Sequence, residues 1–107
     1  MSETNKQWQS IVKETMKIIR GKYPEISLSM EFGAYIAPEN YFVAYIFSTD
    51  AKLAEAKESG LTARINADHK KVLKELGYPK TALKDCSFDS QETCNRENSG
   101  NWYYFYK

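Results

Sequence analysis

The run Tyr41-Phe42-Val43-Ala44-Tyr45-Ile46-Phe47 decides how this chain folds. It is apolar throughout and built largely of aromatic and β-branched residues. Such a run reads as a central β-strand covered on both faces. A strand alternates its side chains, so Tyr41, Val43, Tyr45 and Phe47 share one side and Phe42, Ala44 and Ile46 the other. The smaller side suits a layer of helices. The tyrosine side carries rings with polar tips, so it can face water, a partner or another layer, and it is where function is expected.

Upstream, Ile26-Ser27-Leu28-Ser29-Met30-Glu31-Phe32 alternates apolar and polar residues. That pattern predicts a strand with Ile26, Leu28, Met30 and Phe32 turned toward a helix and Ser27, Ser29 and Glu31 turned outward. Gly33 interrupts it, Ala34–Ala37 prolongs it, and Pro38-Glu39-Asn40 supplies a turn into Tyr41. The unit expected is an antiparallel hairpin. Before it, Trp8, Ile11, Val12, Thr15, Ile18 and Ile19 fall at helical spacing over residues 3–20. Gly21 and Tyr23-Pro24 end that helix, and Glu3, Lys6, Gln7, Lys13, Lys17 and Arg20 form its solvated face.

Downstream, Ser48-Thr49-Asp50 caps a helix over Ala51–Glu58, stopped by Ser59-Gly60. Thr62 is the expected cap of a further helix to Leu76, with Ile65, His69, Val72, Leu73 and Leu76 along one stripe and Gly77 just past its end. Residues 81–89 read as a weaker strand. Asp89 or Ser90 caps a short helical turn to Arg96, Asn98–Asn101 is a turn, and Trp102–Tyr106 is a last, aromatic strand. The order predicts one α+β domain over residues 1–107, with a mainly antiparallel sheet of about four to five strands and helices packed on one face.

Composition agrees with a globular domain: 42% hydrophobic and 27% charged residues can fill and solvate a core without metal or disulfide staples. The net charge of +1 gives no global field toward nucleic acid or acidic membranes. Cys86 and Cys94 fit neither a disulfide framework nor a zinc or redox spacing. Met1–Lys6 carry no apolar signal core, and no run reaches the ~18 apolar residues of a membrane span. A cytoplasmic protein without cofactor or metal is the expectation.

Few residues carry chemistry. His69 is the single histidine, and it lies in a charged helical stretch. A hydrolase or nuclease would pair it with Glu31. Lys70, Lys71 and Lys74 would serve a nucleic-acid-binding accessory domain, but no aromatics are interleaved with them. Residues 64–84 carry a net +4 and residues 85–97 a net −3. The acidic segment beside an aromatic strand is the sharper feature. Tyrosine and tryptophan anchor interfaces by burying large area at low entropic cost. The expected partner-binding residues are therefore Glu31, Tyr41, Tyr45, Asp85, Asp89, Glu92, Trp102 and Tyr103. The aromatic edge at Trp102–Tyr106 also allows a homodimer.

The tail from Phe88-Asp89-Ser90-Gln91-Glu92 through Gly100-Asn101-Trp102-Tyr103-Tyr104-Phe105 resembles the endings of small bacterial immunity proteins of polymorphic and contact-dependent toxin systems. The shared pattern is a strand, an acidic helical turn, then Gly-Asn-Trp and an aromatic strand. The resemblance implies a non-catalytic inhibitor that binds a cognate toxin domain and blocks its active site or substrate surface. The near-neutral charge departs from the acidic inhibitors of basic nucleases, which leaves the toxin's chemistry open.

Overall fold

The computed structural model describes residues 3–34 and 36–102. The elements are α1 (Glu3–Lys22), β1 (Leu28–Phe32), β2 (Phe42–Phe47), α2 (Asp50–Glu58), α3 (Leu61–Glu75), β3 (Ser87–Ser90) and α4 (Gln91–Asn98), with single 3₁₀ turns at Pro38–Asn40 and Lys80–Ala82. This is an α+β fold around a three-stranded sheet of order β1-β2-β3.

The Tyr41–Phe47 run supplies the central strand, β2, from Phe42 onward, with Tyr41 leading into it. β1 pairs with it antiparallel, Ser29 opposite Tyr45 and Glu31 opposite Val43. β3 pairs with it parallel, Phe88 opposite Tyr45. The sheet is thus mixed and three-stranded among the described residues, not mainly antiparallel with four to five strands. The parallel pair follows from the connection: two helices stand between β2 and β3, and such a crossover returns the chain in the same direction. The second half of the weak 81–89 segment alone is strand. Its first residues form the turn at Lys80–Ala82. The aromatic strand expected over Trp102–Tyr106 lies, apart from Trp102, outside the described residues.

The sidedness of the hairpin is the reverse of the expectation. The core gathers Val12 and Ile19 of α1, Ile65 and Leu73 of α3, and Tyr41, Val43, Tyr45 and Phe47 of the central strand. Helices α1 and α3 therefore lie on the tyrosine side. Tyr41 is 1% exposed and Tyr45 is 0% exposed. Ala44 and Ile46, on the opposite side, are also fully buried. A tyrosine buries some 150–250 Å², and covering two such rings outweighs the aliphatic side of β1, where Phe32 stays 39% exposed. The polar residues of β1 turn inward with the tyrosines, toward α1.

Rings tie the layers together. Trp8 of α1 meets Tyr78 edge-on at 5.6 Å, and Tyr78 meets Tyr41 at 5.2 Å. Tyr41 lies 6.1 Å from His69, and His69 lies 5.7 Å from Tyr45. Tyr45 lies 6.3 Å from Phe88. Each aromatic pair of this kind adds roughly 0.5–1.5 kcal/mol beyond the area it buries.

Local chemistry explains the helix ends. Thr49 caps α2 by accepting from Lys52 N at 3.1 Å. Gly60, at φ +81°, precedes α3 in the left-handed region, where Thr62 was the expected cap. At the far end Gly77 N donates to Lys74 O and Tyr78 N to Leu73 O, the paired bonds of a glycine-closed helix. Ile18, expected in the core stripe of α1, is 40% exposed. Its neighbour Ile19 takes the buried position, and a step of 100° carries Ile18 off the stripe.

Candidate functional site

The residues expected to bind a partner are mostly engaged within the chain. The Tyr41 hydroxyl donates to Lys84 O at 2.9 Å and accepts from Lys84 N at 2.7 Å. Burial pushes its pKa up to about 12. Tyr45 bonds His69, and burial raises its phenol strongly. Neither ring is available to another protein, so the exposed tyrosine face is corrected. The cause is the helix layer on that side of the sheet.

The acidic segment is likewise spoken for. Asp85 accepts from Asn66 Nδ2 at 3.0 Å and pairs with Lys70, and these bonds lower its pKa. Asn66 Oδ1 in turn accepts from Cys86 N at 2.8 Å, so this network seats the chain entering β3. Glu92 accepts from Asp50 N at 2.7 Å and closes the start of α2. Asp89 is half-buried in β3 opposite Ile46. Half-buried Trp102 donates from Nε1 to Gln91 Oε1 at 3.2 Å. Tyr103 lies outside the described residues.

Asp50, expected only in the cap of α2, is a hub. It accepts from Ser90 Oγ, from Thr93 Oγ1 at 2.8 Å and from Arg96 Nη1 at 2.8 Å. These bonds, Ser90 first, hold its carboxyl down at about 2. With Glu92 answering from α4, the starts of α2 and α4 are locked reciprocally. Its role is assembly, since every group bonded to it belongs to a helix terminus.

Glu31 and His69 are not brought into hydrogen-bond contact. Glu31 turns toward α1, where Gln9 Nε2 donates to its Oε2 at 3.5 Å, and its Oε1 is buried without a partner. His69 is wholly enclosed in α3, its Nδ1 3.0 Å from the Tyr45 hydroxyl and its Nε2 without a partner. Burial lowers its pKa to about 4, so the ring is neutral near pH 7. An enclosed imidazole cannot hand a proton to a bound substrate. Among the described residues no group of His, Cys, Asp and Glu is placed to hold a metal ion. Both cysteines are free thiols. Lys70 is committed to Asp85, which thins the lysine cluster on α3.

The described surface carries a site whose charge is unbalanced. A groove of about 600 Å³ runs between α1 and β1. Lys13, Met16, Lys17 and Arg20 form its helical wall, and Ile26 before β1 and Ser29 within it form the other. All three charged side chains that line it are cations. None of the three makes an ion pair among the described residues. Arg20 Nη2 donates to Ser27 O at 3.3 Å, which holds the guanidinium over the entry to β1. Pro24 joins this groove to a depression of about 480 Å³ floored by Phe47, Ala56 and Leu61. There Lys52 and Arg64 are matched by Glu25 and Glu55. Of the two, the first groove carries the unbalanced positive charge.

The sequence contained a signal for this groove. Lys13, Lys17 and Arg20 stand at i, i+4 and i+7, one line along a helix. On the helix alone they form an ordinary solvated face, because nothing local shows that a strand runs beside that line. No helix among the described residues is long and apolar enough to cross a membrane. No family model, no curated protein and no solved structure matches the chain.

Proposed function

We propose that this chain is a non-catalytic protein-binding domain that engages its partner through the cationic groove between α1 and β1. The observation that carries this reading is that every charged side chain lining the groove is a cation, none of them in an ion pair among the described residues. Lys13 and Lys17 line it exposed, whereas the acids Asp50, Asp68, Asp85 and Glu92 are bonded to other groups of the chain. The partner class comes from the likeness of residues 88–105 to immunity proteins: a toxin domain, held inactive by the bound chain. On this reading the toxin offers an acidic segment to the groove, and the α2–α4 lock keeps the scaffold rigid behind it. Rigid scaffolds bind with little ordering cost.

On this reading a toxin gene lies beside this one, and the test is co-expression with the domain it encodes. Cells survive that toxin when the wild-type chain is present, and the Lys13→Glu/Lys17→Glu variant, folded and equally abundant, fails to protect them. Equal protection by the variant removes the groove from the function. No protection by either chain removes the immunity reading.

A further inference from the structure

We infer that the depression floored by Phe47, Ala56 and Leu61 is a second binding site, one that takes a hydrophobic dipeptide with both termini free. It stands apart from the reading above, which uses the cationic groove.

The site lies where the turn between α2 and α3 meets the chain entering β1 and the end of β2. Its volume of about 480 Å³ falls within the ~300–1,000 Å³ of small-molecule pockets. Phe47 and Ala56 are buried core residues, and half-buried Leu61 packs against them. The core behind them fixes these side chains, so the floor exists before any ligand arrives. Half-buried Ser48 also lines the site and offers a hydroxyl to a peptide group.

The charges around that floor select the occupant. Lys52 and Arg64 are cations, Glu25 and Glu55 are anions, and all four are exposed. None of the four is in an ion pair among the described residues. Charges of both signs that do not neutralise one another suit a ligand that brings both. Arg64 is the anchor. Its Nη1 donates to Ser59 O at 3.3 Å, which holds the guanidinium at the C-terminal end of α2. A guanidinium fixed in this way still has a fork of N–H donors for a carboxylate. Glu55 stands one turn back on α2, where Ser59 N donates to its carbonyl at 2.9 Å. One helical turn is roughly 5.4 Å. A single amino acid carries its ammonium and carboxylate on one carbon, too close together to reach both groups. A further residue lengthens an extended chain by roughly 3.5 Å, so a dipeptide sets its ammonium at Glu55 and its carboxylate at Arg64. Apolar side chains then lie on the floor. A nucleotide or other polyanion suits Lys52 and Arg64 but is repelled by Glu25 and Glu55.

The probe is leucyl-leucine titrated into the ¹⁵N-labelled full chain, with a Kd of about 1 mM or tighter expected. Amides of Phe47, Ala56, Leu61 and Arg64 should shift. N-acetyl-leucyl-leucine and leucyl-leucine amide should each bind roughly 10-fold more weakly, because each gives up one charged contact. Free leucine should be weakened as much. Arg64→Gln and Glu55→Gln should reduce affinity for the unmodified dipeptide by a similar factor, while Lys13→Glu/Lys17→Glu leaves it unchanged. The blocked peptides test the charges on the unaltered protein, so a variant that fails to fold does not decide the outcome. Equal affinity for free and blocked dipeptides, shifts confined to residues outside the depression, or no binding would overturn the proposal. So would free leucine that binds as tightly as the dipeptide.

Discussion

Tyr45 and His69 meet in the centre of the molecule, phenol oxygen 3.0 Å from Nδ1, both residues fully enclosed and the other imidazole nitrogen without a partner. The pair joins the central strand to α3. It also makes the core sensitive to acid. The folded imidazole titrates at about 4 because burial disfavours its charged form, while an exposed histidine titrates near 6.5.

Between those values the unfolded chain binds a proton that the native chain excludes, so stability falls as pH drops from about 6.5 to about 4. The loss is of order 3 kcal/mol. Denaturant midpoints measured at pH 7 and pH 4.5 check it. His69→Gln should lower stability at pH 7 and flatten the profile across that window. An unchanged slope in the variant would place the proton uptake elsewhere.

Removing the phenol oxygen alone should be measurable. Tyr45→Phe leaves His69 without its one hydrogen bond and should cost about 1–3 kcal/mol. Tyr45→Ala opens a cavity under α1 and α3 and should cost about 3–5 kcal/mol. Thermal and urea unfolding separate the two. A Tyr45→Ala variant as stable as wild type would contradict the burial of that ring.

Asp50 produces a second, lower acid window. Its carboxyl is held at about 2 by Ser90, Thr93 and Arg96, against roughly 3.9 in an unfolded chain. Its contribution is complete above about pH 4 and disappears as pH falls through about 2. Asp50→Ala should loosen α4 preferentially, seen as faster hydrogen exchange at Gln91–Asn98 with β2 still protected. Uniform exchange across the sheet and α4 would mean that the lock is not local.

Two glycines should respond differently to alanine. A Cβ on Gly33 would stand 2.0 Å from Asn40 O, at a backbone φ of +83°. The clash is with backbone in the turn that joins β1 to β2, so Gly33→Ala should cost about 2 kcal/mol or more. Gly77, at φ +97°, meets nothing within 4 Å, and Gly77→Ala should cost only about 1 kcal/mol of conformational strain. Urea midpoints of the two variants test the order.

Lys13→Glu/Lys17→Glu should leave stability within about 0.5 kcal/mol of wild type, because both side chains are exposed and unpaired. A large loss in a thermal melt would give these lysines a structural role instead.

The elements themselves were legible in the sequence. The Tyr41–Phe47 strand, the α1 stripe through Val12, Thr15 and Ile19, the cap at Thr49 and the stop at Gly77 all follow from interactions within a few residues. Periodicity and capping are local, so a linear chain displays them. Tertiary structure decided which side of the hairpin the helices cover. Alternation marks two faces of a strand but does not say which one a distant helix buries. That choice turned Tyr41, Tyr45 and Glu31 from surface into interior and engaged Asp85 and Glu92 as fastenings. It also set Lys13, Lys17 and Arg20 beside β1. Charges that look like plain solvated residues on an isolated helix stand together as one cationic wall once folding lays a strand beside them.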